Sequence, residues 1–268
     1  MPCVAFNNHS FYSLTAVFPA ISLAELRPFL YQPQRSNVSV FYKVNRWAQQ
    51  VVDIMLPPRC ASCQRVGAAL CASCVQALVW VEEPICPQCG QPQEETAVCN
   101  RCRRRPLSLH IRAALRFRAT LPETIHQFKY YKKFGLASHL ADLMVRAWPQ
   151  WAMPVDWVLP IPLHAERRRE RGYNQSALLA HHLAAQLGLP MTEKALRRVR
   201  PTQVQARLTA EERLHNVQGA FSAEPNVAGR RILLVDDVCT TGSTLEAAAQ
   251  TLLGAGALSV AAYCLARA

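Results

Sequence analysis

The chain has 268 residues, half of them apolar, so it can bury a substantial core and is expected to hold one full domain and a smaller module. Thirty lysines and arginines against 18 acidic residues give a formal charge of +12, which favours polyanions such as phosphates or nucleic acids as partners. No apolar run reaches the roughly 18 residues of a membrane span, and no basic segment precedes the first apolar stretch as in a secretory leader, so we expect a cytoplasmic protein without membrane insertion.

The first part of the chain gives little indication of regular structure. Residues 1–46 contain a single acidic residue, Glu25, and no clear periodicity, which predicts a poorly ordered extension. From Trp47, the segment WAQQVVDIMLPP has the spacing of a short amphipathic helix that ends at two prolines. We therefore expect three parts: this extension, residues 47–106 with the helix and a cysteine-rich module, and residues 107–268 with the main domain.

Eight of the eleven cysteines form four Cys-x-x-Cys pairs. In a reducing compartment this spacing indicates metal ligation rather than disulfides. Eight thiolates suffice for two tetrahedral Cys₄ zinc sites, with either sequential or interleaved pairing, and iron–sulfur ligation is the alternative. Because the segment is too short for a core of its own, the metal would be structural. The ligands are Cys60, Cys63, Cys71, Cys74, Cys86, Cys89, Cys99 and Cys102.

An arginine-dense segment, RCRRRPLSLHIRAALRFRA, follows these cysteines. Its charges could hold single-stranded DNA with a steep salt dependence, although it contains few aromatic residues for base stacking. A solvated basic face is the alternative. The arginines concerned are Arg101, Arg103, Arg104, Arg105, Arg112, Arg116 and Arg118.

The remaining chain alternates helical and strand patterns. Residues 123–148 repeat apolar residues at helical spacing, with Gly135 marking a break between two helices. Strands are predicted at DWVLPIP, RRILLV and LSVAAYCLA, and helices at NQSALLAHHLAAQLG and TLEAAAQTLLGAG. This order predicts an α/β fold with a mostly parallel sheet flanked by helices.

Two adjacent carboxylates, Asp236 and Asp237, follow the apolar residues of one predicted strand, at the sheet edge where α/β folds bind ligands. The hydroxyl-rich turn that comes next opens a helix, where free N–H groups and the helix dipole favour a phosphate. A sugar phosphate would suit both, with Mg²⁺ shared by the acids. The turn consists of Thr240, Thr241, Gly242, Ser243 and Thr244.

Other interpretations of this segment are weaker. An ATPase strand would require a G-x-x-x-x-G-K-[ST] loop, which the sequence lacks. A receiver domain would need more than the 31 residues that follow Asp237. A purely structural strand-to-helix cap is the remaining alternative.

The thirteen residues from Ile232 to Thr244 resemble the phosphoribosyl-pyrophosphate signature of type I phosphoribosyltransferases at every position. The shared pattern is four apolar residues, two acids, two apolar residues and a Thr-Thr-Gly-x-Thr turn. In that family the acid pair holds the ribose 2′ and 3′ hydroxyls and the turn holds the 5′-phosphate. The resemblance implies the type I fold here, with these roles on Asp236 and Asp237 and on residues 240–244.

Two polar segments could complete such a pocket by holding pyrophosphate and excluding water. VLPIPLHAERRRERGYNQS places arginines beyond a strand end, which suits a doubly charged phosphate, whereas any single arginine could instead belong to a solvated helix face. LRRVRPTQVQARLTAEERLHNVQGAF is typical of a lid or of an exposed connection. The candidates are Pro162, Leu163, Arg168, Arg171, Asn174 and Gln175 in the first segment, Arg198, Arg200, Thr202 and Gln205 in the second, and Lys129 as a further phosphate contact.

Together these segments resemble the ComF/GntX branch of the phosphoribosyltransferases, bacterial proteins linked to natural competence and the use of external DNA. The branch pattern of P-x-P-L-H, a basic run, R-G-[FY]-N-Q, R-x-[RT]-x-x-Q-x-x-L and R-x-x-N-x-x-x-A-F runs from Pro160 to Phe221. The resemblance covers about residues 55–268 and implies a double zinc ribbon. It also implies phosphoribosyl pyrophosphate, single-stranded DNA and a competence helicase as partners.

Two functions remain open from the sequence. The first is an enzyme that transfers phosphoribosyl from phosphoribosyl pyrophosphate, with Mg²⁺, to an acceptor that the signature does not identify. The second is a non-catalytic adaptor of the DNA-uptake machinery that senses a phosphoribosyl compound or binds single strands, since the fold does not settle activity.

Overall fold

The computed structural model describes residues 57–131, 133–200 and 219–268. The extension predicted at residues 1–46 lies outside these ranges, as does all of the helix predicted from Trp47 except its two final prolines. None of the helices in these ranges combines the length and the apolar character needed to cross a membrane.

Within the described residues, four parallel strands form the main sheet, in the order β1-β6-β5-β2. A short antiparallel pair, β3 with β4, accompanies it. This arrangement confirms the predicted α/β fold with a parallel sheet. The strands are β1 (His110–Arg116), β2 (Trp157–Pro160), β3 (Leu196–Arg198), β4 (Phe221–Ala223), β5 (Arg231–Cys239) and β6 (Ser259–Arg267).

Helices pack against the sheet as the apolar spacing predicted. The break near Gly135 separates α3 from α4, and α4 buries Leu136, Leu140 and Met144 along one side. Residues 148–150 and 225–227 form short 3₁₀ helices. The α-helices are α1 (Ala72–Gln76), α2 (Asn100–Arg104), α3 (Leu121–Tyr130), α4 (Leu136–Ala147), α5 (Ala165–Arg171), α6 (Gln175–Leu187) and α7 (Ser243–Gly254).

Strand β5 is longer than the sequence pattern predicted. It was expected to end at Val235, but it continues to Cys239 because β6 pairs with it along its whole length, as far as Cys239 opposite Arg267. Asp236 and Asp237 therefore lie within the last residues of the strand rather than beyond it. The backbone at the acids is consequently fixed by the sheet.

Strand β1 lies inside the arginine-dense segment and was not predicted. Its Ile111, Ala113 and Leu115 are buried, whereas Arg112 and Arg116 are half-buried. The Arg112 guanidinium lies over the Trp151 ring at 5.6 Å. These two arginines are therefore part of the sheet domain. Of the arginines predicted to hold DNA, they are not among the fully exposed ones.

The cysteine-rich segment covers the outer edge of β1. Val81 N–H donates to the Ala114 carbonyl at 3.0 Å, and Arg116 N–H donates to the Val79 carbonyl at 2.7 Å. These bonds satisfy groups that an edge strand would otherwise leave unpaired. Because Leu78 also packs into the same hydrophobic cluster as the sheet, the cysteine-rich segment and the sheet share one core.

Candidate functional site

The ends of β2 and β5, the first turn of α7 and parts of α3, α5 and α6 surround an open cavity of about 160 Å³. The sequence predicted that two acids and a hydroxyl-rich turn would lie at the carboxyl end of a strand in the parallel sheet. Both acids line the cavity, as does the entire turn. The candidates that line it are Leu163, Arg171, Gln175, Arg198, Asp236, Asp237, Thr240, Thr241, Gly242, Ser243 and Thr244, together with Lys129.

The two carboxylates have different partners. Asp236 Oδ1 accepts from Ser176 Oγ at 2.7 Å and from the Asp237 N–H at 3.0 Å. Asp237 Oδ1 lies 2.9 Å from Lys129 Nζ, and the Lys129 and Asp237 side chains are only 21% and 10% exposed. The pair thus presents one carboxylate held by a hydroxyl and one held by an ammonium group.

Burial raises the pKa of Asp236 from its usual value of 3.8 to about 6, and the charge of Asp237 beside it acts in the same direction. The Ser176 hydroxyl and the Lys129 ammonium oppose this rise but do not cancel it. At neutral pH the carboxylate is ionised at a cost in stability. Perturbed carboxyl groups in a cavity are typical of functional sites.

The turn between β5 and α7 requires glycine at position 242. Gly242 has φ +79°, and a Cβ there would lie 2.9 Å from Ile111 Cδ1. Beside it, the Thr241 and Ser243 hydroxyl oxygens are 2.8 Å apart, and the Ser243 N–H donates to Thr241 Oγ1 at 3.3 Å. The turn therefore brings hydroxyl groups and the positive end of a twelve-residue helix to one wall of the cavity.

Arginine side chains form the facing wall. Arg171 donates to Gln175 Oε1 at 3.1 Å, and its guanidinium lies over the Tyr130 ring at 5.1 Å. Burial lowers the pKa of Arg198, and the nearby charge of Arg167 lowers it further. A buried cation beside other cations gains from a phosphate because the added negative charge offsets the repulsion.

The eight cysteines form two separate groups whose sulfur atoms lie within 4.8 Å of one another. The groups follow the chain order, which is the sequential pairing. Neighbouring sulfurs are 3.6 Å apart in the first group, between Cys63 and Cys71, and 3.7 Å in the second, between Cys89 and Cys99. Four sulfurs at about 2.3 Å from a tetrahedral zinc ion would be about 3.8 Å apart, so both groups fit zinc.

The protonation behaviour of these thiols also fits a metal. Although burial opposes it, backbone N–H groups near Cys86 lower the pKa of that thiol to about 6. Burial raises the pKa of Cys74 to about 12, and it raises the pKa of Cys102 as well. Four thiolates in one such group therefore need a cation to compensate their charge.

Comparison with known proteins identifies both parts of the chain. Residues 174–268 match the phosphoribosyl transferase domain, and residues 51–103 match the double zinc ribbon domain. The chain is 35% identical over 205 residues to "DNA utilization protein YhgH" of Salmonella typhi, covering 74% of this chain and 90% of that protein. The chain belongs to the family of these DNA utilization and competence proteins.

Two further members come from other bacteria. "Competence protein F" of Haemophilus influenzae is 31% identical over 210 residues, covering 74% of this chain and 90% of that protein. "Competence protein ComFC" of Bacillus subtilis is 34% identical over 208 residues, covering 74% of this chain and 84% of that protein. The suspected ComF relationship, the phosphoribosyltransferase-type fold and the double zinc ribbon are therefore confirmed.

Several candidates do not line the cavity in this family member. Asn174 instead begins α6: its Oδ1 accepts from the Ser176 N–H at 3.1 Å, and its Nδ2 donates to the Ile161 carbonyl at 3.0 Å. Arg168 and Arg200 are exposed, and Pro162 is half-buried shortly before the first residue of α5. Thr202 and Gln205 lie outside the described residues.

Two residues with charged or hydroxyl side chains that line the cavity were not among the candidates from the sequence. Arg167 lines the cavity in place of Arg168. The signal was available, because Arg167 lies four residues before Arg171 and so shares its helix face. Ser176 was missed because its role depends on the sheet bringing α6 to Asp236, which is 60 residues away in the chain.

Proposed function

We propose that this protein binds phosphoribosyl pyrophosphate with Mg²⁺ and transfers its phosphoribosyl group to an acceptor. The observation that carries the proposal is the single cavity lined by Asp236, Asp237 and the turn of residues 240–244. The spacing of these groups in the sequence resembles the family signature, and their lining of the same cavity supports the proposal. DNA uptake or utilization would be the setting, which the names of the relatives support, and the protein would act in the cytoplasm.

The chain's own groups suit each part of the donor. Asp236 and Asp237 would accept hydrogen bonds from the ribose hydroxyls, and the turn would receive the 5′-phosphate. When pyrophosphate leaves C1′, the bond electrons leave with it and the ring carbon becomes cation-like. Arg167, Arg171 and Arg198 face the cavity, where they would stabilise the departing charge. Bound Mg²⁺ would supply further charge neutralisation to the pyrophosphate.

Lys129 would compete with the ribose for the Asp237 carboxylate. Its ammonium group occupies one oxygen of Asp237 at 2.9 Å. A ribose hydroxyl that binds this oxygen would share or displace that contact, and a displaced ammonium would then be available to a phosphate oxygen. This role extends the prediction of Lys129 as a phosphate contact.

Pyrophosphate release tests the transfer directly. We would measure it with phosphoribosyl pyrophosphate and Mg²⁺, using water, ammonia and each free nucleobase as acceptors. Release is expected from the wild type with at least one acceptor and not from Asp236→Asn/Asp237→Asn. The matched control is Asp142→Asn/Glu193→Gln, which removes two exposed carboxylates and should keep full activity. Equal release by the acid variant and the wild type would contradict the proposal.

A second candidate is the non-catalytic adaptor that binds single-stranded DNA. Exposed arginines in α2 and directly after it favour this candidate. Large exposed aromatic side chains favour it as well: the exposed fraction is 59% for Tyr130, 61% for Tyr131 and 49% for Phe134. Such groups supply the charge and the stacking surfaces that single strands use. A competence helicase would then be a partner in delivering the strand.

Fluorescence anisotropy with a labelled oligonucleotide separates the two candidates. The adaptor predicts affinity that falls steeply with salt and that survives in Asp236→Asn/Asp237→Asn, without pyrophosphate release under any acceptor. Oligonucleotide binding no stronger than that of a charge-matched globular protein would remove this candidate.

A further inference from the structure

The next-to-last residue of the chain, Arg267, is buried although it carries a permanent charge. It ends β6 and is only 3% exposed. Among the described residues, no aspartate or glutamate carboxylate lies within ion-pair distance of it, and its Nε has no hydrogen-bond partner. Because a guanidinium does not lose its proton in proteins, burial at this position requires compensating groups.

Those groups come from two directions. Arg267 Nη1 donates to the carbonyl of Cys239 at 2.9 Å, to the carbonyl of Thr240 and to the Ala268 oxygen at 3.1 Å. On the other side, Nη2 lies 3.9 Å from Cys89 Sγ, which belongs to the second cysteine group. One guanidinium therefore contacts both a predicted zinc ligand and the start of the turn of residues 240–244, which we call the phosphate turn.

The charge of a zinc-loaded second cysteine group would be complemented by this arginine. Four thiolates around one Zn²⁺ leave roughly two net negative charges, and a buried guanidinium offsets part of them. If the cysteine group opened without the metal, the Cys89 sulfur would no longer be held beside Nη2, and Arg267 would keep only its oxygen acceptors at Cys239, Thr240 and Ala268. The position of its guanidinium, and of the two carbonyls that it holds, thus depends on the metal.

Packing supports the same connection. A Cβ on Gly90 would lie 2.5 Å from the Ile111 carbonyl oxygen, so the loop after Cys89 rests directly on β1. The side chain of Ile111 in turn supports Gly242 in the turn. In addition, the Ser108 N–H, which follows the second cysteine group, donates to Glu246 Oε2 in the first turn of α7 at 2.9 Å.

The first cysteine group makes no comparable contact with the turn in the described residues. Its link to the main sheet domain includes the Thr120 hydroxyl, which donates to the Cys74 carbonyl at 2.9 Å just before α3. The chain therefore offers an internal control for any effect of the second group.

We propose that Arg267 is a positioning residue that couples the second cysteine group to the phosphate turn. Zinc held by Cys86, Cys89, Cys99 and Cys102 fixes residues 240–244 through Arg267, and its loss loosens the turn. Insofar as it concerns ligand affinity, this inference rests on the proposed function. Phosphoribosyl pyrophosphate would then bind to the zinc-loaded protein and poorly to protein that lacks this one ion.

The test uses the full, zinc-loaded chain and the variants Arg267→Met, Arg267→Lys and, as a control, Thr120→Val. Zinc release to a colorimetric chelator and hydrogen exchange of residues 240–246 are measured on each. Arg267→Met is expected to release one of its two zinc ions about 10-fold faster or more and to exchange faster in the turn, as for other residues that support metal ligands. Arg267→Lys keeps the positive charge but lacks the two-sided guanidinium that contacts Cys89 and the turn together. It should therefore retain zinc better than Arg267→Met, while hydrogen exchange in the turn should be as fast as in Arg267→Met. Thr120→Val should leave exchange in the turn unchanged.

A variant-free measurement guards against misfolding of Arg267→Met. The wild type is titrated with chelator until one zinc ion is lost, and alkylation with mass spectrometry identifies which cysteines have become free. Loss from the second group should raise exchange in residues 240–246 and leave the centre of β5 protected. Unchanged exchange in the turn, exchange spread over all of β5 and β6, or wild-type zinc release by a folded Arg267→Met would each overturn the coupling.

Calorimetric titration with phosphoribosyl pyrophosphate and Mg²⁺ adds the functional consequence. We expect about a 10-fold weaker affinity or more for Arg267→Met, of the size reported for residues that orient metal ligands. The zinc and exchange measurements need no ligand, so they remain informative if phosphoribosyl pyrophosphate does not bind. In that case the proposed function fails, and the zinc and exchange measurements alone decide whether the coupling exists.

Discussion

Replacing Asp236 with Asn should stabilise the protein while removing its ligand binding. The carboxylate is held in a polar but poorly solvated position beside a second acid, and this raises its pKa from 3.8 to about 6. A group that is harder to ionise in the folded state than in the unfolded state destabilises the fold wherever it is ionised. Functional sites commonly carry such a cost.

The size of the effect follows from the pKa values. Above pH 6 the rise corresponds to about 3 kcal/mol of unfolding free energy, since one pKa unit equals about 1.4 kcal/mol. At pH 5 about half of this remains, and below the unfolded pKa the difference vanishes because the group is protonated in both states. The stabilisation of Asp236→Asn should therefore increase between pH 5 and pH 8, and this increase is independent of how well the amide packs.

Urea denaturation of wild type and variant at pH 5 and pH 8, each with zinc bound, measures this difference. Asp156→Asn is the control of opposite sign. Hydrogen bonds from the Arg231 side chain lower the pKa of Asp156 to about 2, so this substitution should lower stability by the same amount at both pH values. If the stability of Asp236→Asn relative to the wild type did not rise from pH 5 to pH 8, the account of the acid pair would be refuted.

Three further predictions concern the turn, the hydroxyl beside the acid and the metal. Gly242→Ala should lower stability by about 1–2 kcal/mol in urea denaturation, because φ +79° disfavours a side chain and the methyl group would meet Ile111. Ser176→Ala removes a hydrogen bond that lowers the pKa of Asp236, so the pH below which phosphoribosyl pyrophosphate binding weakens should move upward in calorimetric titrations. Prolonged chelation of both zinc ions should lower the melting temperature seen by circular dichroism, and readdition of zinc should restore it; an unchanged melting temperature would show that the cysteine groups do not hold the fold together.

Local patterns in the sequence were sufficient to locate β5, the turn and α7, although the end of β5 depends on its pairing with β6. Four apolar residues, two acids and a Thr-Thr-Gly turn are contiguous, so their order along the chain determines their neighbours in space. The spacing of the cysteine pairs likewise predicted two Cys₄ groups, but it left open which pairs share a group, and the structure shows the sequential arrangement. These parts of the site could be read without knowing the rest of the fold.

Other parts depended on tertiary contacts that no local pattern reveals. Strand β1 was hidden because its two arginines break the apolar run, and their burial depends on Trp151 and on the cysteine-rich segment at its edge. The pairing of Lys129 with Asp237 joins residues 108 positions apart. Arg267 gave no signal at all, since the three partners that connect it to the turn and to the cysteines lie 27, 28 and 178 positions away.

The division of the chain at residue 106 stays a prediction. The cysteine-rich segment shares a hydrophobic cluster with the sheet and hydrogen-bonds to β1. We therefore expect that residues 107–268 expressed alone would expose the edge of β1 and aggregate more readily than the longer chain. Light scattering of the two proteins at equal concentration would check this.

Calorimetric titration of phosphoribosyl pyrophosphate and Mg²⁺ into zinc-loaded protein tests the central claim most directly. The acid pair and the turn in one cavity predict a single binding site in the wild type and no measurable heat of binding in Asp236→Asn/Asp237→Asn. No binding to the wild type, or equal binding to both proteins, would contradict the claim.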